Sequence, residues 1–215
     1  LMEEQFALTP SGRAWYGEEF RVVRDRDYSF TFPNRISSEQ VRIRMNAAIE
    51  APYPNYVKML INGQTAINKQ GSYIPVGSYP NVAANLYITD SVLVSGDQLN
   101  INVALVNNSS SANMWLDFFS LNVRCNLNFI GGQMSFRDLR TLDYNSATFQ
   151  IANASGTTVW DVTNPHAIKK QETTGSSTIS FGLAIDTLKE FVIFDGSSFL
   201  TPTAIGSVSN QNLHG

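Results

Sequence analysis

From Met114 to Phe129 apolar and polar residues alternate. Phe119, Leu121, Val123, Cys125, Leu127 and Phe129 take every second place, and Asn122, Arg124, Asn126 and Asn128 fill most of the gaps. A strand turns neighbouring side chains to opposite faces, so the pattern predicts one apolar face and one wetted face. A helix would scatter the same residues around its circumference. The stretch exceeds the usual strand of roughly 5–6 residues. It therefore predicts a central strand with neighbours along much of its length.

The same period recurs along the chain. Residues 1–17 form a polar, irregular lead with a turn signal at Thr9-Pro10-Ser11-Gly12. Glu18 to Val23 and Tyr28 to Phe32 read as two strands around the charged turn Arg24 to Asp27. In Val41 to Ile49 the apolar set Val41, Ile43, Met45, Ala47 and Ile49 points inward, with Arg42, Arg44 and Asn46 outward. Tyr56 to Ile61 is a further strand, and Asn62-Gly63 is a tight-turn signal. Thr65 to Pro80 has no period and reads as a long surface loop. Ala84 to Val94 and Leu99 to Leu105 return to strand patterning, and Met134 to Phe136 makes a short edge after Gly131-Gly132.

A boundary is expected near Arg137 to Asn145. Beyond it come short strands at Ala147 to Asn153, Thr157 to Val162, Thr178 to Ala184 and Glu190 to Phe194. Short strands separated by Gly, Pro and Asn turns predict an all-β protein. We expect an antiparallel jelly-roll-like β-sandwich over residues 18–140 and a smaller β subdomain over 141–215. No amphipathic helix is evident.

Composition narrows the function classes. Of 215 residues 43% are hydrophobic and 15% charged, which favours a folded globule over disorder. The formal net charge of -3 gives no support to a nucleic-acid partner. No apolar run approaches the ~20 residues of a membrane-spanning helix. Leu1 to Phe6 lacks the basic start and apolar core of a signal peptide. The single cysteine excludes an intrachain disulfide.

Few residues offer chemistry. A cysteine nucleophile needs a lowered pKa, exposure and a nearby histidine. Cys125 lies on the apolar row between Val123 and Leu127, so a buried, neutral thiol is expected. His166 follows the Asn164-Pro165 turn and His214 lies next to the end; neither sits in a motif. Two histidines and one cysteine on separate segments do not make a zinc site. Asp90, Asp97 and Asp117 fall at or near strand ends, where a jelly roll can hold a structural calcium ion; ordinary turn carboxylates are the favoured explanation. The pair Glu18-Glu19 falls on opposite faces of a strand and cannot share a substrate. Loop aromatics suit sugar rings, which stack on apolar faces. The candidates are Tyr53, Tyr56, Tyr73, Tyr79 and Trp115, with Tyr73, Tyr79 and Trp115 the expected ligand-facing residues. The same rings can cap the ends of a sandwich.

Four patches together carry a family resemblance. They are Thr9 to Arg13 running into Trp15-Tyr16-Gly17-Glu18-Glu19-Phe20; Trp115-Leu116-Asp117-Phe118 through to Gly132-Gln133-Met134-Ser135-Phe136-Arg137; Val159 to Pro165; and Asn210-Gln211-Asn212-Leu213-His214-Gly215. Their order resembles the N-terminal half of the PorU-like sortases of the Bacteroidetes type IX secretion system, which are gingipain-related cysteine peptidases. The resemblance implies a non-catalytic β region ahead of a peptidase domain whose Cys and His lie downstream. Cys125 and His214 do not match those positions. It further implies a place at the outer membrane and cell surface; no cofactor is expected beyond the possible structural calcium. The implied partners are the chain's own downstream peptidase domain, secreted cargo proteins and outer-membrane subunits. The alternative, drawn from the loop aromatics, is a carbohydrate-binding jelly-roll module of an exported enzyme.

Overall fold

The structure is a computed structural model that describes residues 6–7, 14–52, 54–74, 83–201, 203, 206–207, 209 and 211–212. The chain divides into two compact units, 1–126 and 127–215.

The first unit holds β1 (Glu18–Glu19), β2 (Asp25–Thr31), β3 (Val41–Glu50), β4 (Tyr56–Ile61), β5 (Gln64–Gln70), β6 (Ala84–Val92), β7 (Gln98–Val106) and β8 (Asn113–Asn122). They form two four-stranded antiparallel sheets in the orders β1-β8-β3-β6 and β2-β7-β4-β5. Consecutive strands mostly change sheet, which is the jelly-roll arrangement of an all-β sandwich. Both sheets turn one face to a shared aliphatic core. Val41, Ile43, Met45, Ala47 and Ile49 of β3 meet Val57, Met59 and Ile61 of β4 and Leu99, Ile101 and Val103 of β7, all at most 1% exposed. Full burial of each such side chain is worth roughly 1.5–3 kcal/mol.

Two local features depart from the sequence reading. Gln64–Gln70, expected as loop, is an edge strand paired with β4. Its polar composition hides it, because only Ala66 and Ile67 are buried. The two-residue turn decides the matter: Asn62 (φ 48°) and Gly63 (φ 78°) both adopt left-handed backbone, which folds the chain straight back beside β4. The first strand is also short. The strand ends at Glu19, one further bond runs from Phe20 N–H to the Met114 carbonyl, and Arg21 to Val23 form an exposed bend.

The second unit begins at Leu127, upstream of the expected boundary. Its elements are β9 (Gln133–Phe136), a 3₁₀ helix (Leu139–Asp143), β10 (Ser146–Ile151), β11 (Thr158–Asp161), β12 (Lys169–Lys170), β13 (Thr174–Gly175), β14 (Ile179–Ala184) and β15 (Phe191–Phe194). They form the sheets β12-β11-β15-β9 and β10-β14-β13. The core is aromatic: Phe149 and Phe181 stack at 5.4 Å, Phe136 and Phe191 at 5.2 Å, and Phe191 meets Phe149 and Phe181 edge-on at 5.1 Å.

The alternating run Met114–Phe129 is therefore not one strand. β8 ends at Asn122. Phe119, Leu121 and Val123 pack on the aliphatic core, whereas Leu127 and Phe129 pack on the aromatic one. Inside β8 the register shifts where Asn46 faces Phe118 and Ala47 faces Leu116, leaving Asp117 as the extra residue of a β-bulge. The bulge resets the alternation. Met114 and Leu116 point inward before it, Phe119 and Leu121 after it.

Candidate functional site

The aromatic candidates separate once the chain is folded. Trp115 is 7% exposed. It lies on the outer side of its sheet, but Tyr16 and Ala48 pack on it, joined by Phe6 and Ala83. The lead makes this cover: Phe6 and Tyr16 pair with each other, and Gly17 N–H donates to the Leu116 carbonyl. Trp115 is thus withdrawn from solvent by a segment that the alternation does not show. Tyr73 keeps 49% of its surface exposed. Tyr56 is half-buried on β4. Tyr53 and Tyr79 lie outside the described residues.

Tyr73 sits in a loop cluster at one end of the first unit, held by buried amides. Asn55 is fully buried, and its Nδ2 donates to the carbonyls of Ala51, Pro52 and Ser72 at 3.2–3.4 Å. Its Oδ1 faces Gly71, where an added Cβ would stand 2.3 Å away, so only glycine fits there. Asn107 Nδ2 donates to the carbonyls of Pro52 and Pro54 at 2.7 Å. Arg24 then reaches the carbonyls of Asn107 and Ser109. The described residues around Tyr73 are joined through these side-chain bonds to backbone carbonyls.

A second feature is an open groove of about 470 Å³ on the solvent side of β2, β7 and β4, lined by Asp27, Ser29, Leu60, Gly63, Asn100 and Asn102 among others. Its polar side chains bond across strands. Asn102 Nδ2 donates to Asp27 Oδ1 at 2.8 Å, Ser29 Oγ to Asn100 Oδ1 at 2.9 Å, and Gln98 Nε2 to Ser29 Oγ at 3.0 Å. These groups present amide and hydroxyl edges to solvent. They bring one carboxylate, that of Asp27, into the groove.

Cys125 is half-buried and bridges by backbone to Arg35. Burial first, and then the Asp97 charge, push its thiol up, which disfavours the thiolate a nucleophile needs. His166 is exposed in the 162–168 loop, with its N–H donating to Asn164 Oδ1; His214 lies outside the described residues. The calcium candidates are scattered. Asp117 accepts from Asn46 Nδ2 at 2.9 Å, Asp97 from Asn34 N–H at 3.3 Å, and Asp90 from Ser91 N–H at 2.8 Å. Among the described residues no three acidic, His or Cys side chains gather as a metal site.

One cluster escapes sequence reasoning. The Tyr28 hydroxyl donates to Glu18 Oε2, Arg26 lies 3.7 Å from the same carboxylate, and the Arg26 guanidinium sits 5.4 Å over the Phe20 ring. The Tyr28 phenol is pushed up, by burial first and by the Glu18 hydrogen bond second. Glu19, pointing the other way, accepts from Asn113 Nδ2. The cluster ties β1 in one sheet to β2 in the other, and no local motif announces it.

No family model matches the sequence, and no curated protein matches it. Among solved structures, the crystal structure of dimeric latent PorU from Porphyromonas gingivalis superposes on 100% of this chain with a TM-score of 0.80 at 22% identity. The chain covers 22% of that protein, about a fifth of its length. At this identity the likeness shows a common fold. The carbohydrate-binding module CBM36 in complex with calcium and xylotriose aligns with 56% of this chain and 93% of its own, at 16% identity and a TM-score of 0.35. That score is too low to carry an argument.

Proposed function

We propose that this chain is the non-catalytic β region of a cell-surface, gingipain-related cysteine peptidase of the PorU type. In this role it buttresses the peptidase domain and docks secreted cargo or partner subunits at the outer membrane. One observation carries the reading: the PorU fold extends over the whole chain, through both units in sequence order. Two further features support it. The lone thiol is half-buried with its pKa pushed up. The polar side chains at the loop cluster donate to backbone carbonyls, and those on the open sheet face bond to one another.

The test has two parts. The reading frame that encodes this chain is expected to continue into a peptidase domain with its own Cys and His. The purified chain is expected to leave peptide substrates intact. A continuation without a peptidase sinks the reading, as does hydrolysis that disappears on Cys125→Ala. The exposed ring of Tyr73 favours one second reading, glycan binding. A glycan array that loses signal with Tyr73→Ala would favour that module over the platform.

A further inference from the structure

Arg24 and Arg35 bond to backbone carbonyls, and Arg26 and Arg124 face carboxylates. Arg42 and Arg44 differ. Both are exposed, and neither has a hydrogen-bond or ion-pair partner among the described residues. One solvated surface charge asks for no explanation. The placement of these two together does.

Both lie on β3, where alternate side chains share a face, so they leave the solvent face of one sheet from Cα positions roughly 6.6–6.8 Å apart. The strand register surrounds them with uncharged groups. Arg42 stands between Ser91 of β6 and Asn122 of β8, and Arg44 between Thr89 and Ser120. These neighbours are short, so two long guanidinium side chains overtop them. Two carboxylates adjoin the face, and each already accepts a bond. Asp117 accepts from Asn46 Nδ2 at 2.9 Å, and Asp90, opposite Ile43, from Ser91 N–H at 2.8 Å.

Two like charges on neighbouring positions repel, and an acidic partner relieves the repulsion. The whole chain carries a formal net charge of -3, so attraction for such a partner belongs to this patch and not to the surface at large. A guanidinium takes a carboxylate through two parallel N–H donors. An extended peptide sends every second side chain to one side with the same spacing as β3. Carboxylates at its alternate positions therefore meet Arg42 and Arg44 one to one. A sugar asks for an aromatic face to stack on, and neither arginine row holds a ring.

We propose that Arg42 and Arg44 form a docking site for an extended, acidic protein segment with Asp or Glu at alternate positions. Each guanidinium pairs with one carboxylate across the solvent face of β3. This gives the docking role above a partner chemistry and rests on that role only for the partner's origin.

The test uses the whole chain and two capped peptides of one composition, at about 20 mM salt so that surface charge is little screened. The first has glutamates at alternate positions with threonine between them; the second has the same glutamates side by side. Nuclear magnetic resonance titration is expected to show the first peptide shifting the Nε–H signals of Arg42 and Arg44. It should bind at least about threefold more tightly than the second. Arg42→Gln and Arg44→Gln should each weaken it about three- to fivefold, and the double variant at least about tenfold. Both positions are exposed, so these changes spare the core. Arg21→Gln, on the exposed bend after β1, is expected to change nothing. Absence of binding overturns the proposal, and so does unchanged affinity in the double variant. Equal binding of the two peptides also overturns it, since charge without register would then suffice. Shifts at Arg42 and Arg44 with a sulfated oligosaccharide but not with the first peptide overturn it as well, because the occupant would then be a glycan. Each of these failures leaves the reading as a β region of a peptidase standing, because that reading depends on the downstream reading frame.

Discussion

The two units solve the same burial problem with different side chains. Among the described residues, 22 buried side chains form the core of the first, and Phe20 is the only aromatic one among them. Its strands interdigitate Val, Ile, Leu, Met and Ala, each contributing a small share. In the second, eight buried residues suffice, and Phe149, Phe181 and Phe191 are three of them. A small unit has little interior, so it concentrates burial in rings of large area whose edge-on and stacked contacts add roughly 0.5–1.5 kcal/mol per pair. The difference teaches where each unit is vulnerable. The first tolerates the loss of a methylene because the load is spread, whereas the second depends on single rings.

The largest effect should therefore fall on the aromatic core. Phe191→Ala is expected to cost the second unit about 3–5 kcal/mol, whereas Ile43→Val should cost the first only about 0.5–1.5 kcal/mol. Denaturant titration can read the units separately, through Trp160 in the second and Trp115 in the first. If Phe191→Ala shifts both transitions equally, the two cores unfold as one block and the contrast between them collapses.

A smaller, pH-dependent effect should appear in the first unit. The Tyr28 phenol is raised in the folded state above its ordinary value of 10.0. The folded chain then holds that proton where the unfolded chain releases it. Stability is full below pH 10 and declines as the pH climbs above it. Tyr28→Phe should flatten the alkaline decline and lower stability at neutral pH through the lost bond to Glu18. An unchanged slope in that variant would assign the decline to another group.

The smallest effect concerns the surface of the second unit. Arg137 and Glu190 form an ion pair with side chains 52% and 45% exposed. Arg137→Ala is expected to cost no more than about 1 kcal/mol, and less in high salt. A larger loss, measured by the same titration, would mean that charge as well as rings holds this unit together.

The two units also differ in how legible they were. In the first, the inward set of β3 and the Leu99 to Leu105 row of β7 follow directly from alternation, and Asn62-Gly63 marks its hairpin turn. The partner strand after that turn does not, because Gln64–Gln70 is an edge that buries only Ala66 and Ile67. In the second, the short strands emerged near their places, but β12 and β13 are two residues each and too brief to show a period. Of the expected ligand-facing residues, Tyr73 is exposed and Trp115 is packed beneath the lead. The Tyr28–Glu18–Arg26 cluster spans both sheets and could be found only after folding.

By itself the sequence determined an all-β chain, the inward faces of its regular strands and the positions of its tight turns, because these depend on neighbours two to four residues apart. Tertiary structure alone decided which core each apolar face serves. The run from Met114 to Phe129 reads as one strand, yet its residues as far as Val123 pack on aliphatic side chains while Leu127 and Phe129 pack on phenylalanines. A period of two specifies a direction for each side chain and carries no information about the partner it meets. That partner comes from strands far away in sequence, and so does the cover over Trp115.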